Sequence, residues 1–124
     1  MPRTLVALGA FAAFLAVAAG AFGAHVLGDR LSPERMDWFQ LAARYQMYHA
    51  FALIAAAWAA TRWAGTLPTA AGWLFLAGIV VFCGSLYAMA FGAPRWLGAI
   101  TPIGGLAFLA GWALLGWSAL RTSR

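Results

Sequence analysis

The spacing of the charged residues constrains this chain more than any other feature. Eight basic and three acidic residues are placed so that residues 4–28, 45–61, 63–94 and 96–120 carry no charge at all. Each run is close to or beyond the roughly 20 residues with which an α-helix crosses a hydrocarbon core of about 30 Å. A chain of 124 residues that is 65% hydrophobic and 9% charged lies far outside the composition of a water-soluble globule. The expected fold is all-α, an integral membrane four-transmembrane-helix bundle forming one domain. Its spans are expected at about residues 4–25, 42–61, 70–91 and 98–120.

Charge sign adds a partner and a topology. All eight basic residues are Arg, and they stand singly at the ends of the apolar runs. That pattern suits headgroup anchoring by membrane lipids, not nucleic acid. Arg3, Arg62, Arg121 and Arg124 fall on one side; Arg30, Arg35, Arg95 and Arg44 fall on the other, which also holds all three acids. The expectation is a bacterial inner-membrane protein with both termini in the cytoplasm. The single Cys83 rules out a disulfide framework and zinc-type spacing, and no cofactor motif is present.

Local signals set the helix boundaries. Ser32-Pro33-Glu34 is a helix start: Ser caps free amides, Pro suits the first helical position and Glu favours the positive end of the helix dipole. Nothing breaks that helix before Thr61, giving a length of roughly 40 Å. Residues 33–44 form an amphipathic lead-in, with Asp37, Gln40 and Arg44 on one face and Met36, Phe39 and Ala43 on the next, lying at or rising from the interface. Gly65 with Pro68, and Pro94-Arg95-Trp96, turn the chain; Pro102 falls early enough in the fourth span not to kink it. Small residues form stripes at Ala16, Gly20 and Ala24, at Ala52, Ala56 and Ala60, and at Gly104, Ala107 and Gly111. Such stripes let helix backbones approach closely, and on spans one and four they offer a route to homo-oligomers.

Polar residues are unevenly distributed with depth. His25, the stretch from Arg44 through Tyr45, Gln46 and Tyr48 to His49, then Ser85 with Tyr87, and finally Thr101, all fall in the same half of four alternating spans. By the topology above this is the outer half. A continuous polar path across the bilayer, as a proton relay or pore needs, is missing from the inner half. The nine residues therefore define a candidate pocket with a dry base. His25 and His49 converge as metal ligands, haem ligands or a proton-sensitive pair on one reading; on the other, each bonds to a carbonyl, Gln or Tyr of a neighbouring helix and fixes packing. Cys83 and Ser85 lack an assigned base, no paired carboxylates or phosphate loop occur, and a non-enzymatic role is expected. Trp112, deep in the fourth span, is expected to pack.

Four motifs in order, Gly20-Ala21-Phe22-Gly23-Ala24-His25, Tyr45-Gln46-Met47-Tyr48-His49-Ala50, Gly84-Ser85-Leu86-Tyr87 and Ile100-Thr101-Pro102-Ile103-Gly104-Gly105 with Gly111-Trp112, resemble the domain of unknown function 423 family. These are small bacterial inner-membrane proteins with a eukaryotic branch called transmembrane protein 256. The resemblance covers nearly the whole chain and implies a four-helix membrane protein. It implies no activity, since the family is uncharacterised. Cys83 stands where a Ser is expected in many relatives. The leading expectation is a lipid, small-amphiphile or partner-protein binding module; the alternatives are a small oligomeric transporter or channel, and a metal or haem protein.

Overall fold

A computed structural model describes residues 2–121. Arg124, counted above, lies outside them. Four helical rods run back and forth. The first joins α1 (Pro2–Val17), a widened π-helical turn (Ala18–Gly23) and α2 (Ala24–Leu27). The second is one unbroken helix, α3 (Pro33–Arg62). The third joins α4 (Leu67–Gly78), a second π-helical turn (Ile79–Cys83) and α5 (Gly84–Ala90). A 3-10 turn (Arg95–Ala99) leads into the fourth, α6 (Thr101–Arg121).

The start signal on α3 operates as its residues dictate. The Ser32 side chain accepts from the Arg35 amide at 3.2 Å, Pro33 opens the first turn and Glu34 lies within it. Thirty residues make α3 roughly 45 Å long. Its lead-in does not lie apart on a membrane surface. Phe39, Ala42 and Ala43 are buried, with Phe39 edge-on to Tyr87 and Phe91 of the third rod, while Asp37, Gln40 and Arg44 are exposed. Glu34 pairs with Arg95, whose guanidinium also stacks 5.3 Å over Trp38. This ties the turn before α6 to the head of α3.

α3 occupies the centre, packing along α1 on one side and along α4 and α5 on another, while α6 packs chiefly on α4 and the second π-helical turn. Three rods, Pro2–Leu27, Leu67–Ala90 and Arg95–Arg121, are long and apolar enough to cross a membrane. α3 is long enough but less apolar, because Tyr45, Gln46, Tyr48 and His49 occupy its middle.

Glycines set the closest approaches. On α6 the buried face is Gly104, Phe108, Gly111 and Ser118, spaced 4, 3 and 7 as in a coiled-coil seam. A Cβ on Gly104 would lie 2.3 Å from the backbone nitrogen of Phe82, and one on Gly111 would lie 2.6 Å from the Phe75 ring. The Gly104 and Gly111 stripe is thus consumed within the chain, with Phe108 on the seam in place of the expected Ala107. It is not a free surface for a second copy. On the first rod Ala16 is buried, but Gly20 is exposed with open space around it; the side chain of Ala24 is outside the description. The close approach to α3 is made by Gly9 instead, whose Cβ would fall 2.8 Å from the Ala50 carbonyl oxygen.

These distances order the effects of adding one methyl group. Gly104→Ala forces a backbone shift and should destabilise the protein by about 1–3 kcal/mol. Gly116→Ala, which meets nothing within 4 Å, should be neutral or slightly stabilising because alanine favours helix. Thermal unfolding of both variants in the same detergent checks the ranking; equal midpoints would refute the seam.

Candidate functional site

The polar residues of α3 point into the bundle because helical geometry leaves Gln46 and His49 on its buried side and Tyr48 on its exposed side. Gln46 is 6% exposed and His49 4% exposed. Buried among apolar side chains, each must find hydrogen-bond partners inside the protein. Gln46 Nε2 donates to the Ala12 carbonyl at 2.8 Å, and its Oε1 accepts from the Tyr87 hydroxyl at 2.8 Å. One amide thereby joins the first, second and third rods.

His49 is satisfied at both ring nitrogens. Trp112 Nε1 donates to His49 Nε2 at 3.1 Å, which requires a lone pair there. The proton therefore sits on Nδ1, which lies 2.8 Å from the Tyr45 carbonyl one turn earlier and donates to it. The ring stacks on Phe108 with centroids 3.5 Å apart at an interplanar angle of 10°. This neutral, doubly bonded imidazole has no nitrogen left to bind a metal or haem iron. His25 is exposed at the end of the first rod and has no hydrogen bond or ring contact with His49. Among the described residues no group of three or more His, Cys, Asp or Glu side chains is placed to hold a metal.

A third set joins the last two rods. Ser85 Oγ lies 2.5 Å from Thr101 Oγ1 and 3.0 Å from the Phe82 carbonyl. Thr101 Oγ1 also lies 3.3 Å from the Leu97 carbonyl, so two hydroxyl protons are shared among three contacts, those to the Phe82 and Leu97 carbonyls and the one between the hydroxyls. The Phe82 carbonyl belongs to the π-helical turn, whose altered pairing makes a side-chain donor useful. Neither hydroxyl meets a base, and Cys83 is buried.

Five of the nine expected site residues, Gln46, His49, Ser85, Tyr87 and Thr101, therefore enter polar contacts through their side chains, and Tyr45 contributes its backbone carbonyl. They form three separate satisfied sets and not the single polar pocket expected. Arg44 and Tyr48 are exposed on α3, and His25 stands apart. The polar set also reaches deeper than the outer-half reading, since Trp112 lies eleven residues, roughly 16 Å, beyond Thr101 along α6. Trp112 was the missed participant. Its signal was an indole N–H in the middle of an apolar span, a donor that needs an acceptor there.

What opens beside this network is apolar. A groove of about 460 Å³ runs between α3 and α6, lined by Tyr45, Tyr48, His49, Phe82, Gly105 and Phe108, with Leu109 and Trp112 beyond. Trp112 is 45% exposed and closes one wall while holding His49.

The Gln46 bridge has a measurable coupling. Gln46→Leu and Tyr87→Phe should each destabilise, and a double-mutant cycle should give an interaction of about 0.5–2 kcal/mol, the range for polar pairs between helices in bilayers. Additive single effects in detergent unfolding would show that the pair does not act as a unit.

Residues 19–105 match the family model described as a protein of unknown function, DUF423. The chain is similar to the UPF0382 membrane protein YwdK of Bacillus subtilis, 43% identical over 86 residues, covering 68% of this chain and 70% of the relative. It is also similar to the UPF0382 inner membrane protein YgdD of Escherichia coli, 38% identical over 130 residues, covering 98% of this chain and 93% of the relative. No solved structure matches it. Gln46, His49, Tyr87 and Thr101 themselves fall inside the matched family segment, whereas their partners Ala12 and Trp112 fall outside it. With these relatives, and three rods apolar enough to cross a bilayer, the chain belongs to the DUF423 family of uncharacterised membrane proteins.

Proposed function

We propose that this protein crosses the membrane four times, with both termini in the cytoplasm, and holds the apolar chain of a lipid or small amphiphile in the groove between α3 and α6. The observation that carries the proposal is the groove itself: an apolar slot of about 460 Å³ against a rigid aromatic wall built on His49. In a bilayer such a slot faces acyl chains, which are the occupants at hand. Tyr48 lines the groove, and Arg44, exposed one turn earlier on α3, offers a charge to a polar head.

What supports the fourth crossing is how α3 spends its polar groups. The tail of α3 after His49, residues 50–62, is roughly 20 Å long and too short to cross alone. Gln46 and His49 turn inward, and the surface left to lipid is Tyr48, Phe51, Ile54 and Trp58. Hydrocarbon therefore meets aromatic and aliphatic groups along the whole of that stretch. The ends of α3 also sit at opposite ends of the bundle, Glu34 beside Arg95 and the link after Arg62 beside Arg121. Reporter fusions check this: alkaline phosphatase should be active after residues 30 and 93 and inactive after residues 64 and 124. Activity after residue 64 would remove the second crossing.

A binding role is favoured over catalysis by the hydroxyls of Ser85 and Thr101, which are committed to each other and to a carbonyl. The transporter alternative relied on small-residue faces free for a second copy, and the α6 face is occupied by Phe82 and Phe75. The groove is tested by filling it. A Cβ on Gly105 meets only the Phe82 ring edge at 3.9 Å, so Gly105→Leu should occupy the slot without strain. Native mass spectrometry of protein taken from membranes in a mild detergent should show retained amphiphile on the wild type and several-fold less on Gly105→Leu, at an unchanged unfolding midpoint. Equal retention by both would sink the proposal.

A further inference from the structure

A second groove lies at the opposite end of the bundle from the lead-in, between the start of α1 and the end of α3. It has a volume of about 430 Å³, with Val6, Ala7, Ile54 and Ala57 along it and Arg3, Trp58 and Thr61 at its mouth. Ala7 and Ala57 keep the floor shallow enough for a chain to lie in it. The mouth is positively charged. Arg62 stacks with its guanidinium carbon 5.9 Å over the Trp58 ring, and Trp63 meets Trp58 edge-on at 5.6 Å. Neither Arg3 nor Arg62 is paired with a carboxylate among the described residues, where the ion pair found is Glu34 with Arg95. The three acidic side chains of the whole sequence, Asp29, Glu34 and Asp37, all belong to the other end.

An apolar slot open to the bilayer, capped by two unneutralised guanidiniums on an aromatic shelf, has one complementary occupant. We propose that this groove is a binding site for an anionic phospholipid, its phosphate held between Arg3 and Arg62 and an acyl chain lying along Val6, Ala57 and Trp58. Net charge decides the lipid class. A zwitterionic lipid brings an ammonium group into the same rim, while an anionic one adds only negative charge. The site depends on the protein's being in a membrane and is separate from the groove beside His49, so either proposal can fail alone.

The test uses the full chain purified in a mild detergent, with thermal unfolding followed during titration with phosphatidylglycerol, phosphatidylcholine or soluble glycerol phosphate. Phosphatidylglycerol should raise the midpoint at a concentration on the order of tenfold lower than phosphatidylcholine, each guanidinium near an anionic surface being worth about fivefold. Glycerol phosphate should have no effect. The double variant Arg3→Gln with Arg62→Gln should unfold normally in phosphatidylcholine but lose the preference. Arg30→Gln with Arg35→Gln, at the other end, should keep it. Ala7→Phe, at an exposed position lining the slot, fills it and leaves both charges, so it should weaken phosphatidylglycerol binding with its midpoint in detergent alone unchanged. Equal responses to the two lipids, a response to glycerol phosphate matching that to the lipid, or equal loss in the Arg30 and Arg35 variant would each overturn the site.

Discussion

A glutamine and a histidine three residues apart on one helix cannot both be left facing hydrocarbon, and the arrangement of the rods follows from that constraint. An unsatisfied polar group in lipid costs several kcal/mol. Gln46 has a donor and an acceptor to place, and it places them on the Ala12 carbonyl and the Tyr87 hydroxyl. His49 places its two nitrogens on Tyr45 and Trp112. Between them these two side chains reach all three other rods. α3 is central because it carries the groups that need partners, and the other rods are apolar on their outer faces because they do not.

Hydrophobic burial does little to bring helices together in a bilayer, since lipid tails are as apolar as leucine. Shape has to substitute for it. The glycines do this where backbones meet: Gly9 on Ala50, Gly72 on Leu5, Gly78 on Phe108, Gly104 on Phe82 and Gly111 on Phe75. In each of these five pairs a glycine accepts a large side chain or the backbone of its neighbour, and ring and hollow alternate along the α4 and α6 contact. The second π-helical turn fits this scheme, bringing the Phe82 backbone against Gly104 while Ser85 bonds to the Phe82 carbonyl. Packing and hydrogen bonding thus converge on the same turn.

Much of this was legible in the chain. Uncharged run lengths and the Ser32-Pro33-Glu34 start gave the four rods and the unbroken α3, because those signals are local. The polar residues that would meet were also visible from their common depth. Which ones pair was not, because helix rotation decides it and rotation depends on all the neighbours at once. His25 shows the cost of arguing from depth alone: it lies near the right level but is exposed. Gly9 lies outside the four-spaced stripe of the first span, and on α6 the seam position between Gly104 and Gly111 is filled by the Phe108 ring, one residue beyond the small Ala107.

Satisfaction of the interior also governs where any activity can reside. A catalytic or metal site needs a lone pair, a proton or a coordination position that the fold has left available. Gln46, His49, Ser85, Tyr87 and Thr101 are committed to protein partners, so their hydrogen bonds go into holding rods together. The surfaces left with capacity are grooves facing the bilayer, and the two considered differ in character. The one beside His49 is rimmed by tyrosine and the one beside Trp58 by arginine. On the reading proposed above lipid occupies both grooves, and the polar interior acts as the frame that keeps them in shape.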